Sequence, residues 1–297
     1  MHPSGAIRAM LPDGRRAHFQ HGPIDLVLEA FGAPDEVARA YEQAWRRFET
    51  ILPELVAELP ILRRAVSNAA CPLGGGVAQR MWRACVPFAE TFITPMAAVA
   101  GAVADETLAA MIDGRTLQRA YVNDGGDIAL HLAPGEKFDT GIVTDLARPA
   151  IDGVISIGHH DQIRGIATSG WKGRSFSLGI VDAVTVLAKD AATADAAAKP
   201  IANAVTIEDP SILRAPAASQ DPDSDLGDRP VTLRVGRLAP AQIEAALAKG
   251  AAKANELLAR GLIRGALLAL QGVHTIVGQA HGALPARAQQ HAMGNAA

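Results

Sequence analysis

Apolar and polar positions alternate between Ile7 and Leu28 on either side of Pro12-Asp13-Gly14-Arg15-Arg16, which predicts short strands opening in a hairpin. From Pro34 to Ala57 the pattern changes: Val37, Ala40, Tyr41, Ala44, Phe48, Ile51 and Leu52 recur at helical spacing behind a Pro34-Asp35-Glu36 start. An amphipathic helix ending near Pro53 follows. Pro95 to Ile112 is small and apolar nearly all round, so as a helix it is expected to be buried on most faces. Its Ala and Gly residues let another backbone, or a ligand, approach closely. Candidate strands come next at 119–122, 127–132, 138–143, 153–157 and 164–168, and 177–187 reads as another.

Ala191 to Ala204 is an alanine-rich helix that Pro200 is expected to kink or end. Residues 208–230, rich in Pro, Asp and Ser, read as a long exposed loop. Helical periodicity returns from Pro240 to Arg260, followed by strands at 263–270 and 274–277, and 286–297 reads as a frayed tail. Helices mixed with largely sequential strands make the fold class α+β, or mixed α/β, and a single unit over 1–285 is expected.

Composition narrows the picture. The 297 residues are 49% hydrophobic but only 4% aromatic, so the core rests on Ala, Val, Leu and Ile. A formal net charge of −3 gives no electrostatic reason to expect a nucleic-acid partner. Cys71 and Cys85 are the only thiols, at a spacing that fits no metal template. The amino terminus lacks the pattern of a secretory signal, and the apolar run Pro95–Ala104 breaks at Asp105. A cytoplasmic protein with no membrane partner is the resulting expectation.

Chemistry concentrates in three glycine- or acid-bearing segments. In Asn123-Asp124-Gly125-Gly126-Asp127, paired glycines allow positive φ and can turn amides toward an anion or ring edge, with Asn123 and Asp127 as polar contacts. The same residues also suit a plain tight hairpin. In Ala167-Thr168-Ser169-Gly170 a strand runs into two hydroxyls and a glycine, a combination that hydrogen-bonds phosphate or simply ends a strand. Asp195, alone among alanines, suggests a metal ligand or a helix cap. His159-His160-Asp161 fits an exposed turn better than a metal site, because adjacent side chains point apart.

Taken in this order, the segments resemble the ApbE-like superfamily, whose characterised members use FAD and magnesium to attach FMN to a protein threonine. The resemblance runs from near Pro95 to about Ala204. It places Gly101 and Asp105 in the family's buried helix, although Ala100 stands where the family carries Lys. It implies a mixed sheet flanked by helices with a nucleotide-sized pocket. Asn123, Gly125, Gly126, Asp127, Thr168, Ser169 and Gly170 would bind the cofactor, and Asp195 would hold Mg2+.

The departures are equally specific. The family's His-bearing element after Ser-Gly is missing, and Lys199 stands four residues beyond Asp195, where the family has a metal-binding Thr. A lysine there disfavours magnesium or replaces it by contacting phosphate itself. The pattern resembles a shortened, uncharacterised branch. It implies a flavin-nucleotide-binding protein, with an FMN transferase acting on the FAD pyrophosphate as one reading. Asp182 and Lys199 are the catalytic candidates for that reading. The alternative is a non-catalytic carrier or sensor, and a third possibility is metal-assisted chemistry on another phosphorylated substrate. An acceptor protein and a homodimer are left open as partners.

Overall fold

The computed structural model describes residues 5–142 and 153–279, so the expected tail lies outside it. The chain forms β1 (Ile7–Met10), β2 (Ala17–His21), β3 (Ile24–Gly32), α1 (Pro34–Leu62), α2 (Gly76–Cys85) and α3 (Val99–Ile112). Then come β4 (Leu117–Asp124), β5 (Asp127–Leu132), β6 (Lys137–Ile142), β7 (Gly153–Gly158), β8 (Gly165–Ser169), β9 (Ala183–Ala188) and α4 (Ala191–Ala204). The last elements are β10 (Ile212–Pro216), α5 (Ala217–Gln220), β11 (Pro230–Val235), α6 (Pro240–Ala259), β12 (Gly265–Leu270) and β13 (Val273–Gly278). Residue packing divides the chain into two compact units. The first holds Met1–Phe138, Ile157–Ala167 and Ala188–Ala196; the second holds Asp139–Ser156, Thr168–Leu187 and Ala197–Ala297.

In the first unit β1 to β5 pair antiparallel in chain order, and β8 joins β5 through Ile128↔Ile166 and Ala129↔Gly165. Alternation decides which side is core: Ala17 and Phe19 on β2, with Leu26 and Leu28 on β3, are buried. Phe19 meets Trp45 and Phe48 of α1 at ring-centroid distances of 5.2 and 5.5 Å. The predicted helix does not stop at Pro53; α1 runs to Leu62 with Pro53 and Pro60 inside it. Pro53 removes one backbone donor, but burial of Phe48 and Ile51 before it and Leu55 and Leu62 after it holds the helix together across the gap.

Helix α2 escapes the sequence reading because it is only ten residues long behind Gly74-Gly75. Its stripe of Val77, Ala78, Met81, Trp82 and Cys85 is buried, and Glu58 of α1 accepts the amides of Gly74 at 2.6 Å and Gly75 at 3.0 Å. The 18 residues Pro95–Ile112, a 3-10 turn plus α3, are apolar and long enough to cross a membrane by length and composition, a longer stretch than the run ending at Ala104; half of that window is buried.

In the second unit β9, β12 and β13 pair antiparallel. Every residue of β12 is buried, and α6 buries Ile243, Ala246, Leu247, Gly250, Ala254 and Leu257. A Cβ on Gly250 would run into the side chains of Val205 and Leu268, so this glycine permits close helix approach. Three expectations need correction. The stretch 177–187 becomes a strand only from Ala183, because Gly179 lies against the backbone of Ala202 and the Ile180 amide goes to the Val205 carbonyl at 2.8 Å. Pro200 does not end α4, whose residues Ile201 and Ala202 beyond it are fully buried. Residues 208–230 are not one loop: β10 pairs with β11 and α5 lies between them, the prolines Pro216 and Pro230 standing at the ladder's end where a missing donor costs least. The architecture is α+β with antiparallel pairing.

Candidate functional site

In the first unit, Asn123 to Asp127 form the β4–β5 turn. Asp124 pairs with Asp127, Gly125 has φ +62° and Gly126 φ +111°, and the Asn123 Oδ1 accepts the Gly126 amide at 2.8 Å. Positive φ at both central positions is what a two-residue hairpin of this hand demands. The turn's geometry thus accounts for both glycines and for the Asn123 carboxamide.

Asp195 lies elsewhere in the same unit, 7% exposed, and its Oδ2 accepts the Gly101 amide at 3.1 Å. Gly101 is in the first turn of α3, where amides lack partners within the helix. The favour is returned. Asp105 of α3 accepts the Ala191 and Ala192 amides that open α4, at 3.1 and 2.9 Å, while Asp190 takes Thr193 at 2.7 Å. Each helix therefore supplies a carboxylate to the positive end of the other. Gly101 makes the approach possible, since a Cβ there would overlap the Ala191 backbone. Burial pushes the Asp105 carboxyl up to about 7; the charge of Asp190 adds to the rise, and the two amides and Arg80 oppose it. The sequence pattern pointed to Asp195 as ligand or cap, but gave no sign that Asp105 has the matching role.

In the second unit the Thr168 and Thr185 hydroxyls meet at 3.0 Å. Ser169 is 6% exposed, and its Oγ has no hydrogen-bond partner among the described residues. Gly170 presses on the backbone of Asp182 so closely that a Cβ would overlap the Asp182 carbonyl. The Asp182 carboxylate is committed: Oδ1 receives the Trp171 indole N–H at 3.1 Å and the Lys172 ammonium at 2.9 Å, and Oδ2 receives the Gln271 amide at 2.6 Å. Three donors suit a strut under the Thr-Ser-Gly segment better than a proton acceptor. Lys199, partly buried on α4, donates to Ser175 Oγ at 2.5 Å.

No group of three or more His, Cys, Asp or Glu side chains could hold an ion among the described residues. Asp195 already caps α3, Asp182 is ion-paired, and the charge four residues past Asp195 is positive. The Lys199 ammonium, one helical turn from Asp195, works against a divalent cation there.

A family model described as AbpE bacteria matches residues 8–280, and the chain belongs to that family. The expected place in the ApbE-like superfamily is borne out. Curated relatives carry the name UPF0280 protein. The one from Methanopyrus kandleri is 37% identical over 188 residues, 57% of this chain and 73% of the relative. That from Methanothrix thermoacetophila is 34% identical over 160 residues, 53% and 65%, and that from Archaeoglobus fulgidus 34% over 132 residues, 44% and 52%. The matched stretch thus spans from about half to three quarters of these relatives. Among solved structures, the apo flavinyl transferase ApbE of Pseudomonas stutzeri aligns over 93% of this chain and 94% of its own at 11% identity and TM-score 0.46. The ApbE protein of Thermotoga maritima aligns over 91% and 95% at 14% identity and TM-score 0.46.

Proposed function

We propose that this protein binds a flavin nucleotide through the Thr168-Ser169-Gly170 segment, as a carrier or sensor rather than as a magnesium-dependent FMN transferase. The observation that carries the reading is the Ser169 hydroxyl. A buried hydroxyl left without a partner costs about 1–3 kcal/mol, and a ligand oxygen or ring nitrogen would satisfy it. The ligand class is the one that the resemblance to the ApbE-like superfamily implies. The carrier reading is favoured over the transferase because Asp182 already accepts from Trp171, Lys172 and Gln271, and a carboxylate held by three donors, one of them cationic, is a weakened base for activating an acceptor hydroxyl.

The test is a titration of the purified protein with FAD, followed by flavin fluorescence, with an assay for AMP in the same samples. Saturable binding without AMP is the expected result; AMP release on adding an acceptor protein would restore the transferase reading, and absence of binding would remove flavin altogether. Ser169→Ala provides the control for the carrying observation. It is expected to weaken FAD binding about tenfold while leaving stability unchanged or higher, since it removes an unsatisfied buried group. A loss of stability with unchanged binding would show that the hydroxyl serves the fold.

A further inference from the structure

The cations of the second unit are unequally neutralised. Lys172 is paired with Asp182 at 2.9 Å. Lys199 is not: its ammonium donates to the neutral Ser175 hydroxyl, and no carboxylate lies within ion-pair distance of it among the described residues. Arg174, adjacent to Ser175 in the chain, is exposed and has no ion-pair or hydrogen-bond partner among them. Lys199 follows eight buried residues, Ala191 to Ala198, and is itself partly withdrawn from water. A cation in that setting gains more from an anionic partner than a solvated lysine would, because its water shell is already incomplete.

The chemistry of the three groups points one way. An ammonium that spends one hydrogen on Ser175 keeps two more to donate, the Ser175 hydroxyl that accepts from it still has its own proton to give, and a guanidinium offers a planar fork. Together they present donors and positive charge with no acceptor that must be turned away, which suits the several acceptor oxygens and negative charge of a diphosphate. A divalent cation is normally recruited to do this work, and the Lys199 ammonium brings positive charge of its own to the same task.

We infer that the phosphates of the bound nucleotide are held by Lys199, oriented by Ser175 and assisted by Arg174, so that binding needs no divalent cation. The inference rests on the nucleotide reading above but differs from it in what must be true of the phosphates. Three probes separate the two: FAD, ADP, which keeps the diphosphate without the flavin, and riboflavin, which keeps the ring without phosphate. Dissociation constants are measured for the full chain and for Lys199→Ala, Lys199→Arg and Ser175→Ala, in EDTA and in excess magnesium, with far-UV circular dichroism as the folding control.

FAD and ADP are expected to bind equally well in EDTA and in magnesium. Lys199→Ala should weaken both about tenfold or more, Lys199→Arg should recover most of the loss, and riboflavin should be indifferent to all three variants. Binding of FAD that requires magnesium, or that is unchanged in a folded Lys199→Ala protein, overturns the inference and leaves the flavin reading standing. ADP binding that depends on Lys199 without any affinity for FAD or riboflavin does the reverse. Failure of every probe to bind overturns both.

Discussion

Replacing Asp105 by Asn should make the protein's stability markedly less dependent on pH. The carboxyl titrates near 3.8 when unfolded and near 7 when buried between α3 and the start of α4. Because the folded value is the higher one, the folded state holds this proton more tightly than the unfolded chain. The group therefore contributes stability at low pH that is lost as pH rises from about 4 through about 7, the reverse of an ordinary salt-bridged acid. Between about pH 8 and about pH 5.5 this single carboxyl should add about 2 kcal/mol, from roughly 1.4 kcal/mol per pH unit once below the folded value. His131, whose own value burial lowers, acts with the opposite sign, and so wild type and variant must be compared at each pH. Asparagine keeps one acceptor for the Ala191 and Ala192 amides and carries no charge to desolvate. Urea unfolding followed by circular dichroism at both pH values gives the difference. Asp105→Asn should be about 2 kcal/mol less damaging at the higher pH, and equal damage at both would refute the buried-charge argument.

Other substitutions test the remaining contacts. Gly101→Ala drives a methyl into the Ala191 backbone and should cost about 3 kcal/mol in urea unfolding. Gly126→Ala has open space around it, so only the φ of +111° is strained; about 1–2 kcal/mol should be lost, and FAD affinity should hold if the turn is purely structural. Asp182→Asn breaks the Lys172 pair and should cost about 2–3 kcal/mol, with a change in Trp171 fluorescence because the indole loses its charged acceptor.

Periodicity made α1, α6 and the run β4 to β8 legible, since each buries one face or alternates along its length, while α3 was legible from being apolar nearly all round. What it misread were the prolines. Pro53 and Pro200 carry a local penalty that the burial of Ile51, Leu55, Ile201 and Ala202 outweighs, and tertiary packing leaves no mark in a window of neighbouring residues. The β10–β11 ladder was hidden for a related reason: Pro216 and Pro230 look like loop residues until each is seen opposite the other. In the candidate site, Asn123 to Asp127 could be read as a turn because all its determinants are local. The cap made by Asp195 was legible only as one of two options, and its counterpart Asp105 not at all, because their partners lie 94 and 86 positions away. The unsatisfied Ser169 hydroxyl is likewise a property of surroundings, not of the motif.

Asp190 serves Thr193 locally, but the amides of Gly101 in α3 and of Ala191 and Ala192 in α4 each depend on a carboxylate of the other helix, so neither end can be completed by residues translated nearby. Closing them is a step with a long loop to bridge, and it rewards both helices at once. The amides of Gly101, Ala191 and Ala192 should therefore exchange with solvent deuterium at one common rate, opening as a pair although almost a third of the sequence separates them.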